Sequence, residues 1–318
     1  MKNKYDLLKV FAILLVVLGH ITNHYETRYA QLITWAIYIF HMPLFIAISG
    51  AVFKMGVDKG KYQEFMPFIR NKITRLIIPF VISAVLLVAP TLVCCGESEF
   101  SYIGTVVDIF EGGACMKHLW FLPALFWMFV MIWGATRIKI NLAVVFVVSL
   151  VASIASKHIS ILHCVLGLDA AIQKFPFFVL GMMAVGGNRV KLWRIGAFIA
   201  YITLCMLSVF VIKRCPFFTV KDVSGIILNA SAVCCCICLA DIAWRYLNDS
   251  RICAYLAKQS FGIYLFHMIP IWVLRHWCNE SVTLWILAPV TFAVSIFFSI
   301  IATHIVRICR LQFTIGER

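Results

Sequence analysis

Three ionisable residues near the start of the chain are spaced so that one face of a helix would carry them all. In the run D-L-L-K-V-F-A-I-L-L-V-V-L-G-H, Lys9 and His20 are 11 residues apart. At about 100° per residue that is about 1100°, or about 20° past three full turns. Asp6 and His20 fall about 40° short of four turns. The stripe therefore sets a cation about 16 Å along the axis from an imidazole, with only apolar side chains and glycine between. That spacing suits an elongated ligand held by its anionic end at Lys9 and reacting at His20. Histidine is the usual base near neutrality, with a free pKa of about 6.5.

Other chemistries fit less well. His20 and His24 stand at i and i+4, as in zinc-binding helices, but Ile21 occupies the position where the metalloprotease motif needs Glu. Thirteen cysteines include no pair of CxxC motifs at zinc-finger spacing, and Cys234, Cys235, Cys236 and Cys238 lie inside one apolar run. No metal site is expected. Cys94, Cys95, Cys115 and Cys215 lie near segment ends and could pair in an oxidising compartment. The chain has no Walker A loop and no GxGxxG after a strand. Ser49-Gly50 lacks the preceding glycine of a G-x-S-x-G elbow.

The elements that carry these residues follow from composition. Of 318 residues, 63% are hydrophobic and only 13% are charged, and the mean hydropathy is +0.95. A soluble domain runs at about 45–50% apolar and about 25% charged. Disorder, a secreted disulfide scaffold and an ordinary cytosolic enzyme are excluded, which leaves an all-α polytopic membrane protein. Apolar runs of about 20 residues give about ten transmembrane helices, at 6–23, 31–53, 73–95, 118–136, 140–156, 170–187, 192–212, 223–243, 260–277 and 282–308. The first is not a cleaved signal peptide, because Asp6 and Lys9 lie in its first turns and no small-x-small site follows.

The formal charge of +14 would suggest nucleic acid on a soluble chain. Here it reflects the excess of Lys and Arg in cytoplasmic loops. With both termini inside (N-in/C-in), 20 of the 28 basic residues are cytoplasmic and 8 are not. The spans leave about 100 residues for loops, so residues 1–318 form a single transmembrane domain whose chemistry happens within the membrane. The longest cytoplasmic connection, KMGVDKGKYQEFMPFIRNKITR, brings Arg70, Lys72 and Arg75 to the inner mouth, where they suit phosphate or anionic lipid headgroups. On this topology His20, His24, His41, His118, His158, His163 and His276 fall in the outer half, His267 lies near mid-depth and His304 near the inside. Ionisable residues within spans usually face a polar interior, and several at one depth point to a shared site.

These motifs resemble the integral-membrane acyltransferase 3 family. Lys9 with ten residues before His20 is similar to its first-helix Arg/Lys-x10-His signature. Phe40-His41-Met42-Pro43-Leu44-Phe45 with Ser49-Gly50 resembles its second-helix block, and Arg70, Arg75-Leu76 and Pro79 resemble the approach to its third helix. His118-Leu119-Trp120-Phe121-Leu122, Phe177-Phe178-Val179-Leu180-Gly181 and Ser260-Phe261-Gly262-Ile263-Tyr264-Leu265-Phe266-His267 resemble later blocks. The departure is Lys9 where many members have Arg, which keeps the charge but loses the bidentate fork.

The resemblance implies acyl transfer, usually of acetyl, from cytoplasmic acyl-CoA to a hydroxyl of a cell-surface or lipid-linked carbohydrate, in a bacterial plasma membrane. It looks like the membrane-only type, without a fused esterase-like domain. Lys9, Arg70, Lys72 and Arg75 would hold CoA phosphates. His20 would act as base or as a transient acyl carrier, with His41 or His118 orienting it or holding the oxyanion. Asp6, Ser49, Trp120, Tyr264 and His267 would be structural or orienting, Trp120 also being able to stack on a sugar. The expected partners are acyl-CoA, the glycan acceptor and membrane lipids. The main rival is a transporter or flippase of a lipid-linked glycan, suggested by the echo of Phe40-His41-Met42-Pro43 in Phe266-His267-Met268 with Pro270. A non-catalytic scaffold would explain neither the stripe nor the outer histidines.

Overall fold

The computed structural model describes residues 3–156, 166–185, 218–278 and 284–317, and these are helical with no strands. Among them six helices are long and apolar enough to cross a membrane: Lys4–Thr22, Arg28–Asp58, Phe65–Cys94, Ala114–Arg137, Ser224–Leu247 and Ile286–Ile308. Each coincides with a span expected from sequence. Of the remaining expectations, 140–156 is a 14-residue apolar helix and 170–187 a 16-residue helix. The run 260–277 is divided at His267, and 192–212 lies outside the described residues. His158, His163 and Cys215 also lie outside them.

In chain order the helices are α1 (Lys4–Thr22), α2 (Arg28–Tyr38), α3 (His41–Asp58), α4 (Phe65–Cys94), α5 (Tyr102–Glu111), α6 (Phe121–Arg137) and α7 (Leu142–Ala155). They continue as α8 (Leu168–Met183), α9 (Phe218–Leu247), α10 (Arg251–Phe266), α11 (Met268–Trp277) and α12 (Leu284–Ile308). A 3-10 segment, Ala114–Trp120, leads into α6, and another, Gln312–Ile315, follows α12.

Helix α1 starts where Asn3 accepts a hydrogen bond from the Tyr5 amide at 3.0 Å, capping an end that also carries Asp6. It packs against α2, α3, α9, α10 and α12, so the Lys9–His20 stripe runs through the middle of the bundle.

The most extensive contact joins α3 to α8. It depends on two glycines from the recognised blocks. A Cβ on Gly50 would lie 2.0 Å from the Phe178 carbonyl oxygen, and one on Gly181 would lie 1.9 Å from that of Ala47. Backbones that touch in this way gain dispersion contacts where apolar burial supplies little drive between helices. Gly262 of α10 instead makes room for a side chain, that of Thr303 on α12, whose hydroxyl would lie 2.0 Å from an added Cβ. In α4 two π-helical turns, Ile73–Ile77 and Ala84–Val88, come just before Pro79 and Pro90 and relieve the helix at the missing amide donors. Cys94, Cys95 and Cys115 are free thiols.

Candidate active site

Three imidazoles from distant parts of the sequence meet beside α1. The ring centroids of His20 and His267 are 5.3 Å apart, those of His118 and His267 5.3 Å, and those of His20 and His118 6.4 Å. His118 and His267 are buried and His20 is partly exposed. Among the described residues no group of three His, Cys, Asp or Glu is disposed to hold a metal ion.

Each ring is set by its own element. His267 stands at the break between α10 and α11, where Nδ1 faces the carbonyl oxygens of Ile263 at 3.0 Å and Tyr264 at 2.9 Å. Facing two acceptors, Nδ1 must carry the hydrogen. Nε2 is buried without a partner among the described residues, and in the neutral tautomer with its hydrogen on Nδ1 it is Nε2 that carries the lone pair. His118 is placed by strained backbone, because the preceding Lys117 has φ +46° and ψ −122°. Such conformations cost about 1–3 kcal/mol and persist only where surrounding contacts impose them. Asp108 accepts from the Cys115 amide at 2.7 Å, and the Tyr264 hydroxyl donates to the His118 carbonyl at 2.6 Å. Neither ring nitrogen of His118 has a hydrogen-bond partner among the described residues. His20 Nδ1 lies 3.4 Å from the Tyr38 hydroxyl, at the weak end of hydrogen-bond range.

His41 lies outside this triangle. Its ring packs on Tyr38 at 4.9 Å and its Nδ1 donates to the Ile37 carbonyl at 2.9 Å, serving the backbone at the α2–α3 break. The echoed Phe-His-Met motifs thus share a local device. In each, a histidine near a proline satisfies a carbonyl four residues back, Ile37 for His41 and Ile263 for His267. That accounts for the echo without a transporter's repeat.

A cavity of about 390 Å³ opens toward the Lys9 end of α1. Among the described residues Lys9, Lys72, Arg75 and Lys258 line it, with Glu317 the one acidic residue on its wall, and it extends to Tyr264 and Phe121. Tyr264 joins the two regions. It lines the cavity, and its ring is 5.7 Å from His118 and 6.4 Å from His267. Ser49 also lines the cavity, its hydroxyl donating to the Phe45 carbonyl at 2.9 Å.

Lys72 is only 7% exposed. Its ammonium lies 3.2 Å from the Phe129 ring centroid and 5.3 to 5.9 Å from those of Tyr62, Phe68 and Phe53. No carboxylate pairs with it among the described residues. Cation–π contacts contribute up to about 2 kcal/mol when desolvated, whereas an ion taken from water costs several kcal/mol. An anion entering this cavity would offset the difference.

Lys9 donates to Asp6 at 3.2 Å as well as lining the cavity. Arg70 is exposed and is not part of the lining. Trp120 packs edge-on to Phe121 at 6.2 Å and does not line this cavity. Sequence reasoning passed over Lys258, Tyr62 and Glu317. Glu317 is held by Arg307, which donates from Nε at 2.8 Å and from Nη2 at 2.6 Å, and this bond keeps its carboxyl below the usual range. Only the basic character of Lys258 was visible in the sequence, because its position depends on how α10 packs.

A family model described as an acyltransferase domain matches residues 2–304. No curated protein and no solved structure matches the chain. The signature blocks thus fall where the fold needs them, in the α3–α8 and α10–α12 glycine contacts, the basic cavity and the imidazole cluster. The chain belongs to the acyltransferase 3 family and is a multi-pass membrane acyltransferase.

Proposed function

We propose that the donor is acyl-CoA, with acetyl the usual acyl group, and that the acceptor is a hydroxyl of a cell-surface or lipid-linked carbohydrate. In this reading both termini face the cytoplasm of a bacterial cell and about ten helices span its plasma membrane. The asymmetry of basic residues supports that orientation. The observation that carries the donor assignment is the cavity in which Lys9, Lys72, Arg75 and Lys258 converge and which ends at Tyr264, beside the imidazoles. A CoA phosphate fits such a set of cations, and the largely uncharged pantetheine arm fits the wall of Phe45, Ile48, Val52 and Leu125 beyond it.

At the cluster, an acceptor hydroxyl needs a base near neutrality, a role that contributes about 10²–10⁴-fold. His20 takes that role, directly or after carrying the acyl group on its ring. His267, with Nε2 bare and Nδ1 anchored, can accept a proton without moving, and His118 stands within 5.3 Å of it.

The test is purified His20→Ala in lipid nanodiscs. Acyl-CoA binding by calorimetry should persist while transfer to carbohydrate falls by at least 10²-fold, the lower end of what a base contributes. Wild-type turnover in that variant would overturn both routes. Comparative mass analysis of surface glycans with and without the protein identifies the acceptor by its loss of acyl mass.

A further inference from the structure

Three aromatic rings close the basic cavity toward the imidazoles. Phe45, Phe121 and Tyr264 line it, whereas among the described residues none of the three clustered imidazoles does. The centroids of Phe45 and Phe121 are 6.1 Å apart, and those of Phe121 and Tyr264 5.5 Å. Both pairs meet edge to face, at 62° and 63°. Aromatic rings at such separations are in contact, so no chain passes between neighbours. Phe121 and Tyr264 are buried, and the Tyr264 hydroxyl is tied to the His118 carbonyl.

Each ring stands one turn from a histidine. Phe45 follows His41 in α3, Phe121 follows His118 at the start of α6, and Tyr264 precedes His267 in α10. The rings form an arc from α3 through α6 to α10. Helix α1 packs on both α3 and α10 and closes the open side of the arc. A ligand coming from the cations must pass between the arc and α1 to reach an imidazole. Beyond the arc there is little depth. One helical turn is about 5.4 Å, and the Tyr264 centroid is 5.7 Å from that of His118 and 6.4 Å from that of His267. Trp272, also buried, packs on His118 at 6.0 Å and limits the space further.

We infer that Phe45, Phe121 and Tyr264 form a collar that sets the length of the acyl group, admitting acetyl and propionyl thioesters and excluding longer chains. The inference rests on the acyl-CoA reading of the donor. With the phosphates at the cations and the pantetheine arm along the cavity, the thioester carbon stands at the collar, and the acyl chain lies beyond it. Each further methylene then meets a packed ring. One misfitting methylene in a closed apolar pocket is worth about 10–200-fold in discrimination. Phe45 and Phe121 are the specificity-determining side chains. Tyr264 completes the collar but also holds His118, so it is the poorer site for a test.

The test is calorimetry of CoA, acetyl-CoA, butyryl-CoA and hexanoyl-CoA on the full-length protein in lipid nanodiscs. Titration of empty nanodiscs removes the contribution of chains that enter the lipid. Wild type should bind acetyl-CoA about tenfold or more tightly than hexanoyl-CoA, the lower end of the methylene range. Phe121→Ala and Phe45→Ala should narrow that ratio to within about threefold. Phe126 is on α6 and does not line the cavity, so Phe126→Ala should keep the wild-type ratio. A ratio of two dissociation constants in one sample does not depend on how much of the protein is folded. Phe121→Leu and Phe45→Leu, which keep more of the packing, should move the ratio in the same direction. Equal affinity for acetyl-CoA and hexanoyl-CoA in wild type, or a ratio unchanged at both phenylalanines, overturns the inference and leaves the donor reading intact. Absence of binding by CoA and by every thioester overturns the donor reading and this inference with it.

Discussion

The Tyr264 hydroxyl donates to the His118 carbonyl oxygen across 2.6 Å, tying together residues 146 positions apart in the chain. This bond fixes the strained Lys117–His118 segment to α10 and closes the inner end of the basic cavity. Tyr264→Phe keeps the ring and removes the donor, leaving a buried carbonyl short of a partner at a cost of about 1–3 kcal/mol. Because the hydroxyl is already committed to His118, donor KM should change little. Displacement of His118 should lower kcat by about 10–100-fold, the scale of a small misplacement near reacting groups. Steady-state kinetics that showed a raised donor KM with normal kcat would instead make Tyr264 a simple cavity wall.

The α3–α8 contact predicts a sharp contrast among glycines. Gly50→Ala and Gly181→Ala place a methyl about 2 Å from a backbone oxygen, and overpacking of this kind costs about 1–3 kcal/mol. Gly134, inside α6, faces open space, with no packing neighbour among the described residues within 4 Å of its would-be Cβ. There alanine should be stabilising by up to about 1 kcal/mol. Thermal unfolding monitored by size-exclusion in detergent checks both signs.

The sequence shows the spans and the stripe because both are one-dimensional patterns. Apolar run length marks a helix, and 100° per residue places Lys9, Asp6 and His20 on a common face. The imidazole cluster was legible only in its parts. His267 looked like an orienting residue at mid-depth, since nothing local reveals that a break after Phe266 turns its ring toward His20 and His118. Lys258 and Glu317 join Lys9 only through the packing of α10 and the segment after α12. The Arg275–Glu97 pair was hidden for the same reason, because it joins residues 178 positions apart. Arg70 and Arg75 looked equivalent by charge, yet Arg75 alone lines the cavity.

That difference is testable. Arg75→Ala should raise the apparent donor KM about tenfold, as loss of one charge-assisted contact would, and added salt should reproduce part of the effect. Arg70→Ala should leave donor KM within about twofold, the range of a surface charge. Equal effects from the two variants would mean that the basic surface attracts the donor as a whole, with no defined contact at Arg75.

Lys9 carries two relationships at once, an ion pair with Asp6 at 3.2 Å and a place in the cavity wall. Lys9→Arg keeps the charge and should retain substantial activity. Lys9→Met keeps much of the length and should weaken donor binding by about 1–3 kcal/mol, the range for a hydrogen bond to a charged group. The single variant also leaves Asp6 without this partner, so some loss of stability is expected. Asp6→Asn/Lys9→Met removes both charges and should restore folding, but it should not restore donor affinity. Calorimetry with acyl-CoA, alongside size-exclusion of the single and double variants, separates the two contributions. Normal CoA affinity in a well-folded Lys9→Met protein would show that Lys9 serves only Asp6. The donor contacts would then fall to Lys72, Arg75 and Lys258.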